Sequence, residues 1–365
     1  MSRMRIAVTA DPYLPVPPTH YGGIERVIDL LVGELAGRGH EVSLIAHPDS
    51  RTSARLIPYG RPPHVGWSAR VVELAQVGAA LWTLRHEVDV IHSFGRLAAL
   101  LPVLPMRRLP KIQSYQRDGV PWASVHRARR LAGSSLAFTG CSTSVYRAAP
   151  GDESAAGRWR TIFNGVDIAR YGCRSAVRPD APLMFLGRLD PIKGAHHAIA
   201  IARASGRRLT IAGNQVTAGP DTGYFAARIA PHLDGDRVRY VGPVDDAAKD
   251  VLLGESAALL MPIEWEEPFG IVMAEACACG TPVIAFARGS VPEVVRDGVN
   301  GFTCRTVEEA VAAVAALPAI DRARVRADCE ARFSALVIVD QYERLYESMI
   351  ESVRAPLARR VRTVN

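Results

Sequence analysis

With 365 residues, 48 % of them hydrophobic and 22 % charged, the chain can fill two domain cores and is excluded from the disordered class. The net charge of +7 comes without an aromatic-interleaved basic motif, which argues against a nucleic-acid reader. No run reaches the length of a membrane span, and the first residues lack an apolar signal core.

Arg5 to Ala10 reads as a short apolar strand. A Pro-rich loop, Asp11 to His20, leads to Tyr21-Gly22-Gly23. Ile24, Val27, Ile28, Leu31 and Leu35 then recur at helical spacing, and Gly37 and Gly39 end that helix. Glu41 to Ala46 is the next strand, so the chain opens as strand, loop, helix, strand. Gly22 and Gly23 are either a plain turn or a point where backbone approaches a ligand. They do not form the GxGxxG dinucleotide fingerprint. Pro58 to Gly66 reads as loop and Val71 to Leu84 as helix. Val88 to Ser93 is a buried strand ending near His92, a histidine that either faces a ligand or is hydrogen-bonded in the core. Lys111 to Tyr115, Leu136 to Cys141 and Arg160 to Asn164 continue the sheet.

Composition shifts to Arg, Ser, Pro and Asp over Cys173 to Pro182, so the spacing predicts an N-terminal domain over 1–172, a linker over 173–182 and a second domain over 183–340. Strands are expected at Leu183 to Leu186, Leu209 to Ala212, Val238 to Val241, Ala258 to Ile263 and Val283 to Phe286, with helices between. The alternation predicts α/β architecture with a doubly wound parallel sheet in each half. Helices follow at Val307 to Leu317 and from about Leu336 to Arg354, with no further strand; the C-terminal segment, 341–365, can pack back on the first domain.

The six cysteines (141, 173, 277, 279, 304 and 329) show no CxxC and no disulfide framework, which suits reduced packing residues in a cytoplasmic protein. The arginines at 107 and 108, at 127, 129 and 130, and at 359, 360 and 362 make either a solvated surface or a patch for anionic lipid at the inner membrane face.

Two constellations carry chemistry. In Met261 to Phe286 an apolar strand ends in Glu264, Glu266 and Glu267, and a Pro268-Phe269-Gly270 turn opens a helix bearing Glu275. If the helix begins near Phe269, the free amides of Phe269, Gly270 and Ile271 favour a phosphate, and the carboxylates beside them suit hydroxyls. An acidic loop capping a helix is the alternative. After the first strand of the second half comes Gly187-Arg188-Leu189-Asp190-Pro191-Ile192-Lys193-Gly194. Arg188 offers a fork and Lys193 a mobile point charge, which suits a diphosphate; an exposed basic turn is the alternative. Both clusters follow strand carboxyl ends, where ligands bind in open parallel sheets.

These pieces, with YGGIERV, DVIHSF, IFNGVD, LTIAG, RVRYVGPV and GSVPEVVRDGVNGF, resemble the family 4 retaining glycosyltransferases of the GT-B fold over Arg5 to about Phe302. Phosphatidylinositol mannosyltransferases and antibiotic-pathway sugar transferases are the similar bacterial members. The resemblance implies two Rossmann-like domains facing a deep cleft. It implies that Arg188 and Lys193, with Gly187 in their loop, hold the donor diphosphate and that Phe269, Gly270 and Ile271 bind phosphate through backbone amides. Glu275 would take the ribose, and Glu267 would orient the donor sugar. Gly22 and Gly23 would let the first domain close, and residues from Gly242 to Val244 would meet the nucleobase. Many relatives carry a sugar-contacting histidine where this chain reads QSYQRDG; Gln116 stands nearest, which points to a different, even 6-deoxy, sugar unless Arg117 or Asp118 compensates.

The expected reaction moves a hexosyl or deoxyhexosyl group from a nucleoside diphosphate sugar to a lipid or small-molecule hydroxyl, with no cofactor. Asp234-Gly235-Asp236 precedes a strand and reads as turn chemistry, and His196-His197 shows no ligand partner in sequence, so no metal is expected. A hydrolysing sugar-nucleotide epimerase, a nicotinamide oxidoreductase and a non-catalytic sugar-nucleotide binder are the rivals.

Overall fold

A computed structural model describes residues 3–18, 22–60, 67–149 and 159–362. Tyr21 and most of the expected 58–66 loop lie outside the described residues, as do the side chains of Arg359, Arg360 and Arg362. The chain forms two compact units, one of residues 1–164 with 335–365 and one of Gly165–Ser334.

The first unit runs β1 (Arg5–Thr9), α1 (Gly23–Gly37), β2 (Glu41–Ala46), β3 (Arg55–Pro58), α2 (Trp67–Leu84), β4 (Val90–Ser93), β5 (Lys111–Tyr115), α3 (Trp122–Ala132), β6 (Leu136–Gly140) and β7 (Trp159–Thr161). Among the described residues these strands make a parallel sheet in the order β3-β2-β1-β4-β5-β6-β7. Strand β3 was not expected: alternate Arg55 and Pro58 ends expose it, and it lacks the apolar run of its neighbours. β1 (RIAVT) and β4 (VIHS) are buried at nearly every position, as central strands of a parallel sheet are.

The second unit runs β8 (Leu183–Leu186), α4 (Ala195–Ala204), β9 (Leu209–Ala212), β10 (Val238–Tyr240), α5 (Asp246–Gly254), β11 (Ala258–Met261), α6 (Ile271–Ala278), β12 (Val283–Phe286), α7 (Val291–Val294), β13 (Gly301–Cys304), α8 (Val307–Ala316) and α9 (Arg322–Phe333). Its parallel sheet has the order β10-β9-β8-β11-β12-β13. Leu183, Phe185, Ile211, Leu260 and Ile284 from the sheet pack with Ile199, Ala202 and Val314 from the helices over it.

The contact-defined division falls after Asn164, ahead of the stretch whose composition marked it as linker. Residues 165–182 are bonded to the second unit: Val166 N donates to Phe333 O (2.8 Å), Gly172 N to Asp250 Oδ1 (2.7 Å), and Arg174 pairs with Asp250 (3.1 Å). The final helix, α10 (Ala335–Arg362), belongs to the first unit. Asp340 and Glu343 hold Arg38, Glu343 Oε1 meets His40 Nε2 at 2.7 Å, and Tyr346 OH meets His92 Nδ1 at 2.7 Å.

Candidate active site

In the second sheet the strand order reverses between β8 and β11, and the loops leaving those two strands carry both constellations. Glycine lets the loops touch. A Cβ on Gly194 would sit 1.9 Å from the Pro262 carbonyl oxygen, and one on Gly213 would sit 1.8 Å from that of Gly187. Glu264 N then donates to Ile192 O at 2.8 Å, tying the β8–α4 loop to the β11–α6 loop.

Asp190 caps the short turn before Lys193: its Oδ1 accepts from Lys193 N at 3.2 Å, and its Oδ2 accepts from Arg188 Nε. Pro191 follows the cap, where its missing N–H is harmless. Lys193 is thereby aimed across the loop junction, and its Nζ lies 2.6 Å from Glu267 Oε2. The same carboxylate oxygen accepts from Trp265 Nε1 at 2.9 Å, while Lys193 Nζ sits 4.7 Å from the centre of the Trp265 ring. Glu267 is 8 % exposed. Its backbone is pinned by Ser290 N (2.8 Å to Glu267 O), and a Cβ on Gly289 would fall 2.3 Å from Glu267 N and O. Arg188 is the open member of the group, its side chain 43 % exposed.

Helix α6 begins at Ile271, two residues later than the sequence suggests. Gly270, at φ 71°, turns the chain into the helix, and Phe269 is buried against Phe333 with ring centres 5.7 Å apart. In the first turn Met273 N donates to Gly270 O at 2.9 Å; a helix N-terminus of this kind favours an anion through its dipole and its leading amides. Glu275 lies about one turn in and is 4 % exposed. Its Oε1 accepts from Lys249 Nζ (2.5 Å) and Tyr171 OH (2.9 Å), so it is neutralised and fixed from behind. Gly242, at φ 81°, shapes the turn after β10; its carbonyl accepts from Gly213 N at 2.9 Å, and Val244 follows half-buried.

The first unit has its own reversal, between β1 and β4. A cavity of about 530 Å³ opens there, lined by Asp11, Tyr13, Arg96, Gln116 and Arg117 over an apolar floor that includes Leu97 and Leu104. The side-chain amide of Gln116 is shielded from solvent and has no hydrogen-bond partner. Burial pushes the Asp11 carboxyl up against the pull of Arg117 and Arg96, and burial likewise raises that of Glu25. Gly22 precedes α1 in a tight spot, where a Cβ would lie 2.7 Å from Pro18 Cβ; Gly23 is the first helical residue. His92 takes the core alternative. It is 0 % exposed, its Nδ1 meets Tyr346 OH at 2.7 Å and its Nε2 meets Ser114 Oγ at 2.6 Å. Burial pushes its pKa down to about 3, so it is a neutral hydrogen-bonding bridge.

The structure thus brings Arg188, Lys193 and Glu267 to one loop junction and leaves His92 inside the first core. Sequence reasoning passed over Trp265, Asp190, Gly213, Gly289, Lys249 and Tyr171. Asp190-Pro191 was a readable cap signal; Lys249 and Tyr171 reach Glu275 over 26 and 104 residues, and no local pattern announces that. In the Asp234-Gly235-Asp236 stretch, Asp234 Oδ1 accepts from Asp236 N (3.0 Å) and Val238 N (2.9 Å), which is turn chemistry.

Comparison with known proteins covers both halves. Residues 21–170 match the family model described as Glycosyltransferase Family 4, and residues 178–332 match Glycosyl transferases group 1. A glycogen synthase of Mycobacterium tuberculosis is 27 % identical over 89 % of this chain and 89 % of its own length. A D-inositol 3-phosphate glycosyltransferase of Mycobacterium marinum is 34 % identical over 43 % of this chain and 35 % of its own. Among solved structures, Anabaena HepE in complex with UDP and glucose superposes with a TM-score of 0.73 at 20 % identity, covering 95 % of this chain and 100 % of that one. Among the described residues, no helix is long and apolar enough to cross a membrane.

Proposed function

The chain belongs to glycosyltransferase family 4 and is a nucleotide-sugar glycosyltransferase; from that premise we propose that it transfers a hexosyl or deoxyhexosyl group with retention of anomeric configuration and without a metal ion. The observation that carries the reading is the 2.6 Å Lys193–Glu267 contact at the β8/β11 reversal, with Arg188 in the same loop and the N-terminus of α6 following. Cations and amides in that arrangement suit a diphosphate, and the carboxylate that holds the lysine suits sugar hydroxyls.

In the proposed reaction the bond from the sugar's anomeric carbon to the diphosphate oxygen breaks, and negative charge collects on the leaving diphosphate. Arg188, Lys193 and the first amides of α6 stabilise it. The acceptor oxygen attacks from the same face, and its proton passes to the departing phosphate oxygen. No protein nucleophile is required, and Glu267 orients the sugar. Glu275 takes the ribose through its remaining oxygen, and Gly242 to Val244 border the base. Gly22, Gly23 and Gln116 are kept as proposed sugar contacts of the first unit, and His92 is dropped. Gln116, polar but uncharged, supports a sugar lacking one hydroxyl. The complex of HepE with UDP and glucose supports UDP as the first nucleotide to try. The 530 Å³ cavity, with guanidinium groups over an apolar floor, supports an amphipathic lipid or natural-product acceptor. Exposed Arg127 and Arg130 beside Leu131, itself 47 % exposed, support peripheral contact of α3 with anionic lipid. The epimerase alternative is not favoured, because the named relatives are a synthase and a glycosyltransferase.

The test is incubation with UDP-, GDP-, ADP- and dTDP-sugars, with and without acceptor alcohols, followed by proton NMR of the anomeric signal. Acceptor-dependent release of diphosphate and a product that keeps the donor's configuration are expected. An inverted product refutes the same-face route, and acceptor-independent epimerised sugar refutes transfer.

A further inference from the structure

The sequence shows no third group near the histidine pair that opens α4. The fold supplies one: Glu264 reaches back over 67 residues to place Oε1 2.6 Å from His197 Nε2 and 3.6 Å from His196 Nε2. The three ligand atoms lie within 4.8 Å of one another. We propose that His196, His197 and Glu264 form a binding site for a first-row transition ion of the zinc type, separate from the donor chemistry.

Tetrahedral zinc with bonds near 2.1 Å needs ligand atoms about 3.4 Å apart, which small side-chain rotations supply here. Two imidazoles and one carboxylate favour Zn²⁺, Co²⁺ or Ni²⁺ over Mg²⁺ and Ca²⁺, which prefer all-oxygen sets. The imidazole nitrogens must be unprotonated to bind, and the ring of His196 is held from its far side. Its other nitrogen, Nδ1, lies 2.7 Å from Tyr224 OH, and that hydroxyl also accepts from His196 N at 3.2 Å. An outer partner of this kind fixes the ring and leaves Nε2 for the metal. Arg228 and Arg288 are the opposing charges near the cluster, acting on His196 and Glu264 respectively. Three protein ligands leave one coordination position for water.

The ion would act as a clip. His196 and His197 follow Lys193 and Gly194 after one intervening residue, Ala195, and Glu264 precedes Glu267 on the facing loop. The Lys193–Glu267 pair, the stacking of Lys193 Nζ over Trp265, the Glu264 N to Ile192 O bond and the Gly194 approach to Pro262 already tie those segments together, and Glu264 meets His197 directly. Metal at the cluster would replace that last hydrogen bond with a coordination crosslink that also takes in His196.

The experiment uses the full chain, stripped with EDTA and desalted, titrated with ZnCl₂ by calorimetry and followed by melting temperature. One equivalent of zinc should bind and raise the melting temperature, and MgCl₂ should do neither. His197→Gln and Glu264→Gln keep hydrogen-bonding capacity, so far-UV dichroism and a melt in EDTA check folding. Each should weaken zinc by more than about tenfold, since even outer-shell changes cost 10–100-fold. Tyr224→Phe should fall within that range. Absence of zinc binding by wild type, zinc affinity unchanged in both glutamine variants, or an equal response to MgCl₂ would each overturn the site.

Discussion

Lys193→Ala separates the proposed chemistry from ordinary structural support, because this side chain serves both. In the resting protein its Nζ pairs with Glu267 Oε2 at 2.6 Å, with the two side chains 20 % and 11 % exposed. That burial lies between an exposed pair, at about 0–1 kcal/mol, and a fully buried one broken at about 3–5 kcal/mol, so truncation should destabilise by roughly 1–3 kcal/mol. Trp265 Nε1 still donates to the orphaned carboxylate, which favours the lower end. For a domain of this size the melting temperature should fall by about 2–4 °C per kcal/mol, leaving the variant folded at room temperature. The catalytic effect should be larger. Removal of one preorganised stabiliser of a developing anion costs about 10²–10³ in kcat, and the same factor should appear in kcat/KM if the contact strengthens only in the transition state. Steady-state release of nucleoside diphosphate, read beside a thermal melt of the same preparation, measures both. Lys193→Arg should recover part of the rate, because it restores the charge as a longer planar fork and not as a compact ammonium. A Lys193→Ala enzyme within threefold of wild type would refute the clamp, and so would a rate loss that vanishes when activity is corrected for the folded fraction.

Other consequences follow from named contacts. His92 is held neutral, so acid must unfold the chain to charge it. The unfolded imidazole titrates near 6.5 and the folded one at about 3, so stability falls as pH drops between those values, by up to about 1.4 kcal/mol per unit. Urea denaturation of wild type and His92→Gln at pH 7, 6 and 5 should show a flatter dependence in the variant; parallel curves would contradict it. Gly289→Ala places a Cβ 2.3 Å from Glu267 N and O at a φ of +58°, so it should destabilise by roughly 2–5 kcal/mol and displace the carboxylate, seen as a lower melting temperature with a disproportionate loss of rate. Transfer by EDTA-treated protein should match that with added MgCl₂ to within twofold; a strict requirement for a divalent ion would refute metal-independent catalysis.

Sequence periodicity captured the strands with uninterrupted apolar runs. β8 (LMFL) and β12 (VIAF) begin and end where their apolar runs do, and β2, β5 and β9, whose runs are broken by Ser, Gln or Thr, keep the expected bounds because their neighbours in chain are turn residues or helix ends. It failed where burial is one-sided or brief. β3 carries exposed ends, and β13 opens on Gly301, whose missing side chain lets the strand approach Val283: a Cβ there would lie 1.9 Å from the Val283 carbonyl oxygen. Helix α9, RARVRADCEARF, has four arginines and few apolar positions, so no stripe announces it. Two of those arginines face inward: Arg322 caps the carbonyls of Gly254 and Ser256, and Arg326 those of Tyr171 and Ala278. In the site, the loop cations and Glu267 were legible because strand, loop and charge are adjacent in sequence. His92 was not, since a strand-end histidine looks alike whether it meets a ligand or Tyr346. The Glu264–His197 pairing was hidden because it spans 67 residues.

The most direct test of the donor site is calorimetric binding of UDP, GDP, ADP and dTDP to wild type and to Arg188→Ala/Lys193→Ala. The account predicts micromolar-range binding of at least one nucleotide to wild type and a loss of two orders of magnitude or more, about 2.7 kcal/mol, in the double variant. Equal affinity in the two proteins would contradict it.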